Sequence, residues 1–518
     1  MAIKTCAGAS LFIAALSFRF LHADWPTAIQ ISAAIFTLLC GLLLGYHGYI
    51  YPFFLSPLRH LPGPKGGHPL IGQMLNQIRT PGPADLFISW MKQWPDAPFV
   101  RYLSIGNCET LMVNNIAAFK EVQQAKVYSF RKSQLAARMF SPITGHGLMF
   151  SEGEERKKQR TQLALEHFLK KATLDVFVIG SIGCDLDSIF VPEAHFYEVY
   201  ERIIRQPPSG HVITFIDGHV PLRSWLPLAS NKRWLKDVAL IRAMLLTCVE
   251  NRRHEMMVEK KLGLEEKTDR RDILTFILED CQFDATQTNW TDLELLEYML
   301  NFIAGGHETT GSTTMWVAHV LATEPEVQDR LKQEVLGLCV GKPRDWNPTY
   351  EELEHLMYMN NFLKEILRFY SPGKSFPPPR SPCRLPPAIF LPREASEDVT
   401  VCGTFIPKGT QVTLCPAVAH FNPLVWGETA EAFDPDRWAD GRAPGDSYTM
   451  EAFLQGPAGC IAKNMALLNT KSVIFALARD FRFSPRPGWD GRLELANPNF
   501  TLRPRESLRV TIERDEAR

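Results

Sequence analysis

The chain has 518 residues, of which 45% are hydrophobic, so it can bury a large core and is long enough for two or three ordinary domains or one large one. The formal net charge is -1 and no stretch is densely basic, which disfavours nucleic acid or another polyanion as a partner. Eleven cysteines occur without a CxxC pair, which argues against a disulfide framework and a zinc cluster and for a reducing compartment.

Two apolar stretches occupy the N-terminus. The first, from Ala7 to Leu16, is too short to span a bilayer, and a cleaved signal peptide is its main alternative interpretation. The second, from Ile29 to Ile50, is long enough to span. Tyrosines and then Arg59 and Lys65 follow it, as expected of an interface belt and a cytosolic flank. We therefore expect a single-pass anchor here, with a buried core helix as the other interpretation.

A proline-rich segment follows the apolar stretch. Residues 57 to 67 contain three prolines and several glycines, a composition that predicts an extended or turn path rather than helix. We expect three regions: an N-terminal membrane anchor region over residues 1–50, a hinge over residues 51–70 and a catalytic domain over residues 71–518. Helical periodicity predominates in the last of these.

One helix is predicted to be unusually long. Thr291 and Glu294 form a capping box, and apolar residues recur behind them at helical spacing. A second box, Thr323 to Glu326, predicts the start of the next helix, so the first helix has about 30 residues and a length of about 45 Å. Its centre, Ala304–Gly311, is rich in glycine and threonine and poor for intrinsic helix stability. This composition predicts close approach of a flat ligand, with local widening of the helix to admit a water.

Charged residues of two later segments can form one network. Glu365 and Arg368 are three apart on a predicted helix and share a face, although such a pair is most often solvated. Arg437 follows in a turn-forming segment, Phe433–Trp438. One carboxylate and two guanidiniums can satisfy each other by charge-assisted hydrogen bonds.

A glycine-rich loop contains the most informative cysteine. Phe453 opens the loop, Cys460 closes it, and a helical pattern begins at Ile461. A cysteine at a helix N-terminus is favoured as the thiolate, the form that binds metals. The alternative is a small buried cysteine without chemistry.

The order of these motifs resembles the cytochrome P-450 superfamily, most closely the microsomal enzymes of filamentous fungi. An AGxET-like helix, ExxR, FxPxRW and FxxGxxxC follow one another, and the resemblance extends from about Tyr51 to the end. It implies a mainly α fold with a small β region, in which haem lies between the long central helix and the cysteine loop. An axial thiolate ligand assists cleavage of bound oxygen.

The resemblance also implies roles for individual residues. Cys460 is expected to bind the iron of haem b, with Phe453 beside the cofactor. Glu308 and Thr309 are expected to be catalytic through oxygen activation and proton delivery. The structural network behind the haem is expected to comprise Glu365, Arg368 and Arg437. Arg160 and Arg393 are candidates for the haem propionates, since arginine pairs well with carboxylates.

The chain departs from the family pattern in several places. Ala458 stands where a basic residue usually reaches a propionate, and Ala462 replaces a glycine. The chain is short between residues 168 and 178. A proline-rich segment, residues 373–390, is inserted. A retained intron and a genuine surface loop are both open interpretations of the insertion.

The implied activity is a monooxygenase that inserts one oxygen atom from O2 into a lipophilic small molecule, in fungal secondary metabolism of terpenoid or polyketide type. No flavin or nicotinamide domain is evident, so the expected partner is a separate NADPH-cytochrome P-450 reductase, with cytochrome b5 as a further candidate. The expected location is the endoplasmic reticulum membrane, with a cytosolic catalytic domain. The alternatives are a haem-thiolate isomerase or dehydratase, disfavoured by Glu308 and Thr309, and an inactive haem-binding relic.

Overall fold

The fold was analysed in a computed structural model that describes residues 25–80, 84–132, 195–204, 206, 210, 213–214, 217, 223–262, 272–283, 291–344, 346–371, 391–485 and 510–514. The described part is mostly helical, as the sequence predicts. Arg160, the junction at residues 168–178 and the insertion at residues 373–390 lie outside the described residues, as does the first apolar stretch.

Helices occur in most of the described ranges. In order they are α1 Trp25–Gly45, α2 Met74–Arg79, α3 Asp85–Gln93, α4 Ile116–Lys120, α5 His195–Ile204, α6 Ala229–Lys261, α7 Ile273–Phe283, α8 Asp292–Thr323, α9 Pro325–Leu338, α10 Tyr350–Glu354, α11 Met357–Phe369, α12 Pro416–His420, α13 Pro423–Trp426 and α14 Lys463–Asp480.

The strands of the described part form one mixed sheet and two two-stranded antiparallel sheets. They are β1 Phe99–Leu103, β2 Glu109–Val113, β3 Phe130–Lys132, β4 Leu391–Ala395, β5 Val399–Val401, β6 Thr404–Ile406, β7 Gln411–Leu414, β8 Phe481–Pro485 and β9 Val510–Arg514. The five-stranded sheet has the order β1-β2-β7-β4-β3, in which only β2 and β7 are parallel. Strand β5 pairs with β6, and β8 pairs with β9.

Three hydrophobic clusters make up the described core. One lies on the five-stranded sheet with α3 and α12. The second joins α5, α6 and α7 to the first half of α8, and the third joins the second half of α8 to α9, α11 and α14. Helix α8 therefore passes from one cluster into the next, and its full length of 32 residues has packing partners, which is where most helical stability in proteins arises.

The predicted start of α8 is confirmed. The Thr291 hydroxyl accepts from the Glu294 amide at 3.2 Å, and the Glu294 carboxylate accepts from the Thr291 amide at 2.9 Å. The second predicted capping box is wrong. Glu324 is the N-cap of α9, and the Thr323 hydroxyl instead donates to the His319 carbonyl of α8 at 3.0 Å. A threonine in the last turn of a helix has this carbonyl within reach, which competes with capping of the next helix.

The apolar N-terminal segment is one continuous helical stretch. Helix α1 passes into a π-helical segment, Tyr46–Leu55. Within the described residues, Ile29–Leu55 is long and apolar enough to cross a membrane and buries none of its apolar window in the protein. The stretch includes the predicted anchor at Ile29 to Ile50 and continues past it. Length and composition support an anchor only weakly, because signal sequences pass the same test.

The expectation of no helix in the proline-rich segment is wrong for its first four residues. Pro57–His60 is a short 3-10 helix, and the Ser56 side chain accepts from the Leu58 amide at 3.1 Å. Proline is tolerated at a first helical position, because its missing N–H has no partner there in any case. From Leu61 the path is extended or turning, as predicted.

Contacts join the end of the apolar helix to the sheet. The Asn107 side-chain amide, in the β1–β2 connection, donates to the carbonyls of Gly48 at 2.7 Å and Pro69 at 2.8 Å. The Arg101 guanidinium on β1 donates to the Pro52 carbonyl at 2.5 Å. These bonds join the three regions predicted from sequence, which are residues 1–50, 51–70 and 71–518.

Candidate functional site

The cysteine loop lies between two helical turns. A 3-10 turn, Glu451–Phe453, opens it, and α14 begins at Lys463 with Ala462 as N-cap. The helix therefore starts two residues later than the sequence pattern predicts. Cys460 is exposed, and its amide donates to the Phe453 carbonyl at 2.7 Å. This bond closes the loop between the first and last residues of the FxxGxxxC motif.

Close approach of another segment requires glycine in the loop. Gly456 has a φ of +66°, and an ideal Cβ there would lie 2.3 Å from the Gln123 carbonyl oxygen. Gln123 belongs to a π-helical turn, Glu121–Ala125, directly after α4. The loop is thus pressed against a segment more than 300 residues earlier in the chain, and any side chain at position 456 would separate the two.

The cysteine loop leads into a helix that contacts α8. Helix α14, which follows Cys460, packs against α8. Ile461, next to the cysteine, and Phe302 on α8 both pack against the same hydrophobic cluster. Gly305 on α8 has open space on its side-chain face, since an ideal Cβ there meets nothing within 4 Å. A flat, largely apolar group with one metal ligand fits the chemistry of these residues: an exposed thiol at Cys460 and a glycine with open space around its Cβ position on α8.

The predicted catalytic pair lies on this part of α8. Glu308 is almost fully buried, with a relative exposure of 1%, and Thr309 is half-buried. The Thr309 hydroxyl donates to the Gly305 carbonyl, one turn earlier, at 2.6 Å. The predicted local widening is absent here, because Asp292–Thr323 is α-helix throughout.

Glu365, Arg368 and Arg437 are brought together in the interior. All three side chains are completely buried, so the interpretation of a solvated surface pair is wrong. Glu365 Oε1 accepts from Arg368 Nη2 at 2.7 Å and from Arg437 Nε at 3.0 Å. Its Oε2 accepts from Arg368 Nε and Trp438 Nε1, both at 2.9 Å.

The two arginines use their other N–H groups on backbone carbonyls. Arg368 donates to His420, Ala430 and Ala432 at 2.7 to 2.9 Å. Arg437 donates to the carbonyls of Thr429 and Ala432 at 3.0 Å and to the Thr429 hydroxyl at 3.2 Å. The network therefore fixes residues 420–438, a stretch of short helices and turns, against α11. A charge buried this deeply requires such complete pairing.

The remaining predicted site residues are less completely described. Arg393 lies on β4, half-buried, opposite Val412 of β7 and Lys132 of β3. Phe453 is half-buried beside the third hydrophobic cluster. Arg160 lies outside the described residues. Within the described part of the chain, no group of three or more His, Cys, Asp or Glu side chains could hold a metal ion.

Several functional contacts were missed from the sequence. Trp438 and Asp434 both donate to Glu365, the latter through its amide at 2.9 Å. Both residues lie inside the FxPxRW motif, and this position could have predicted their contact with Glu365. Gln123 and His420 also contact the cysteine loop and its opening turn. Neither has a local sequence pattern that predicts this, since both contacts are long-range.

The family model for "Cytochrome P450" matches residues 212–510, more than half of the chain. The chain belongs to the cytochrome P-450 family. The matched range includes α8, α11, the buried network and Cys460, the segments from which the resemblance was drawn.

Curated relatives agree with this membership. The chain is 27% identical to cytochrome P-450 monooxygenase sphH of Aspergillus fumigatus, over 96% of this chain and 94% of the relative. It is 26% identical to cytochrome P-450 monooxygenase FUM15 of Gibberella moniliformis, over 84% of each. It is 30% identical to cytochrome P-450 714C2 of rice, over 82% of this chain and 80% of the relative. The chain is therefore a haem-thiolate monooxygenase, an oxidoreductase whose iron is bound through a cysteine.

Gly456→Ala is expected to reduce haem retention because the new methyl group collides with the Gln123 carbonyl. A strained positive φ alone costs about 1–3 kcal/mol, and the collision adds to it. Gly403→Ala is the matched control, since Gly403 has a φ of +73° but open space around its Cβ. We expect a lower haem-to-protein ratio for the first variant than for the second. Equal ratios would show that the close approach is unimportant.

Glu365→Gln is expected to lower the free energy of unfolding by about 3–5 kcal/mol, because two buried guanidiniums lose their carboxylate. Asp436→Asn is the control, since it breaks an exposed ion pair with Arg330 and should cost at most about 1 kcal/mol. Denaturant unfolding of both variants measures the difference. Similar losses in the two variants would contradict a special role for the buried network.

Proposed function

We propose that Cys460 is the axial ligand of the haem iron in a monooxygenase of fungal secondary metabolism. The observation that carries this proposal is the position of Cys460, exposed on a loop that its amide closes by a bond to the Phe453 carbonyl and that leads into α14, which packs against α8. The nearby start of α14 favours the thiolate, because helix N-termini stabilise negative charge.

The haem supplies the oxygen chemistry when it is bound. The protein's part on α8 is proton delivery by Glu308 and Thr309. Because the Thr309 hydroxyl donates its single proton to the Gly305 carbonyl, its oxygen lone pairs are left to accept a hydrogen bond from a water. Thr309 thus orients the water, and the buried Glu308 carboxyl is the proposed proton donor to it.

Arginines are proposed to hold the haem propionates. Arg393 lies on β4 of the five-stranded sheet, and Arg160 is the second candidate. Guanidinium groups pair with carboxylates by two parallel hydrogen bonds, which fix orientation as well as charge. Phe453 is proposed to contact the cofactor at the opening of the cysteine loop.

The substrate is proposed to be a lipophilic small molecule of terpenoid or polyketide type. The names of two relatives that cover most of the chain identify them as fungal cytochrome P-450 monooxygenases. We propose a separate NADPH-cytochrome P-450 reductase as the electron donor, with cytochrome b5 as a further candidate. The apolar segment Ile29–Leu55 is proposed to anchor the enzyme in the endoplasmic reticulum membrane with its catalytic domain in the cytosol, which gives bilayer-dissolved substrates access.

Cys460→Ser is expected to abolish the thiolate band in the spectrum of the reduced carbon-monoxide complex, because the iron loses its sulfur ligand. Some haem should remain bound, since the apolar surroundings are unchanged. Cys402→Ser is the control, because Cys402 lies in the β5–β6 connection. A normal thiolate band in the Cys460 variant would refute the proposed ligand.

Thr309→Ala is expected to keep haem and substrate binding but to divert oxygen to peroxide, because the oriented water is lost. Proton transfer through positioned groups typically contributes about 10²–10⁴-fold to the step it assists. The ratio of product formed to NADPH consumed measures the effect, and Thr309→Ser, which keeps the hydroxyl, should restore much of the coupling. Unchanged coupling in the alanine variant would favour an isomerase or dehydratase.

Ala458→Arg is expected to tighten haem binding by roughly ten- to hundredfold, since a guanidinium here can add a charge-assisted bond to a propionate. Ala458 is half-buried in the 3-10 turn Gly456–Ala458 of the cysteine loop. Ala458→Gln is the neutral control, a shorter side chain that can donate hydrogen bonds but carries no charge. The rate of haem transfer to apomyoglobin measures retention. If both variants lose haem at the same rate as the unmodified protein, Arg160 and Arg393 suffice to hold the propionates.

A further inference from the structure

The opening of the cysteine loop is conformationally strained. Leu454 has a φ of +55°, a conformation that is unfavourable for a residue with a side chain and persists only where surrounding contacts impose it. The loop's own backbone bonds are few: the amides of Leu454, Gly459 and Cys460 donate to the carbonyls of Glu451, Gly456 and Phe453. Contacts from other segments must therefore hold the loop in shape.

Gln123 supplies two of these contacts from one buried side chain. Its Oε1 accepts from the Gln455 amide at 3.0 Å, directly after the strained residue. Its Nε2 donates to Glu451 Oε2 at 2.9 Å, in the turn before that residue. The Gln123 side chain thus bridges both sides of Leu454. It is 2% exposed, so water does not replace these bonds if they are lost.

His420 supplies the next contact and links the loop to the buried arginine network. Its Nε2 accepts from the Glu451 amide at 2.7 Å, which places the ring proton of the neutral imidazole on Nδ1. Its backbone carbonyl accepts from Arg368 Nη1 at 2.9 Å. A continuous path of hydrogen bonds therefore runs from Arg368 through His420 and Glu451 to Gln123 and the loop.

Glu451 is the centre of this path, and its carboxyl is fully buried. Burial, opposed by the hydrogen bond from Gln123 and assisted by the nearby Asp446 carboxylate, raises its pKa to about 8. Asp446 itself is paired with Lys120 of α4, and the ionisable Tyr448 lies on the same segment. At neutral pH the Glu451 carboxyl is therefore mostly protonated and places little charge beneath the loop.

We propose that Gln123 and His420 are positioning residues for the haem ligand, which act through Glu451 and the loop backbone to hold Cys460 in its ligating geometry. The proposal rests on the proposed role of Cys460. Loss of either residue releases Leu454 from its strained conformation. The Cys460 amide is bonded to Phe453, the neighbour of Leu454, so this release also displaces the sulfur.

The first test compares Gln123→Ala and His420→Phe with Tyr448→Phe. The control variant removes a bond between the same two segments, from the Tyr448 hydroxyl to Gln124 at 2.9 Å, but no bond to the loop or its opening turn. We expect the ratio of non-thiolate to thiolate carbon-monoxide complex to rise roughly five- to hundredfold in the first two variants, as expected for a lost buried partner. Their haem reduction potentials should also shift. The control should resemble the unmodified protein.

His420→Gln is the rescue variant, because its side-chain oxygen can accept from the Glu451 amide without an imidazole. It should retain more of the thiolate complex than His420→Phe. Circular dichroism identifies variants that fail to fold. If Gln123→Ala or His420→Phe fails to fold, the conservative variants His420→Gln and Glu451→Gln provide the test.

Glu451→Gln provides an independent test. The glutamine side chain still has an oxygen that accepts from Gln123, but it cannot ionise. The usual carboxyl pKa is 4.5, and the folded value is about 8. The contribution of Glu451 to the free energy of unfolding is therefore complete below pH 4.5 and is lost as the pH rises through about 8. The unmodified holoenzyme should lose its thiolate band across this upper range, and the glutamine variant should retain it to higher pH.

The outcomes separate the two proposals. If Gln123→Ala and His420→Phe match Tyr448→Phe, or if Glu451→Gln leaves the pH profile unchanged, the positioning role is refuted while the thiolate band of the unmodified protein still supports Cys460. If the unmodified protein has no thiolate band, the proposed function itself fails.

Discussion

The structure depends on the burial of one carboxylate. Glu365 is completely shielded from water and accepts hydrogen bonds from Arg368, Arg437, Trp438 and the Asp434 amide. Removing a carboxylate from water is costly, and only a full set of charged and hydrogen-bonded partners offsets that cost. The two arginines bond to the backbone of residues 420–438, whose helices are at most five residues long. A segment that would otherwise have many alternative paths is thereby fixed against α11.

The geometry of the cysteine loop depends on this network. Arg368 holds the His420 carbonyl, and the His420 ring accepts the amide that opens the loop at Glu451. Gln123 reaches the loop from the opposite side, where Gly456 allows backbone contact. Loops built from glycine, proline and a positive-φ residue have little intrinsic preference for one shape. A metal ligand must nevertheless be held to within a fraction of an ångström, so precision has to come from the surrounding structure.

The sequence patterns succeeded where the determining interactions are local. The capping box at Thr291 was predicted because its two partners are three residues apart. The ion pair of Glu365 and Arg368 follows from helical spacing for the same reason. The prediction failed where a residue had two possible partners. Thr323 bonds back to His319 rather than forward to the next helix, and Pro57 begins a 3-10 helix where an extended path was expected.

The sequence by itself determined the family, the mainly helical class, the long central helix and the identity of the cysteine worth testing, because these depend on motif order, periodicity and composition. Only the tertiary structure decided that the Glu365 network is buried, since a pattern of spacing says nothing about depth. Only it showed that the apolar helix is bonded to the sheet through Asn107 and Arg101. The same is true of the contact between Gln123 and the cysteine loop, because those residues are over 300 positions apart in the chain, and folding alone brings them within hydrogen-bonding distance.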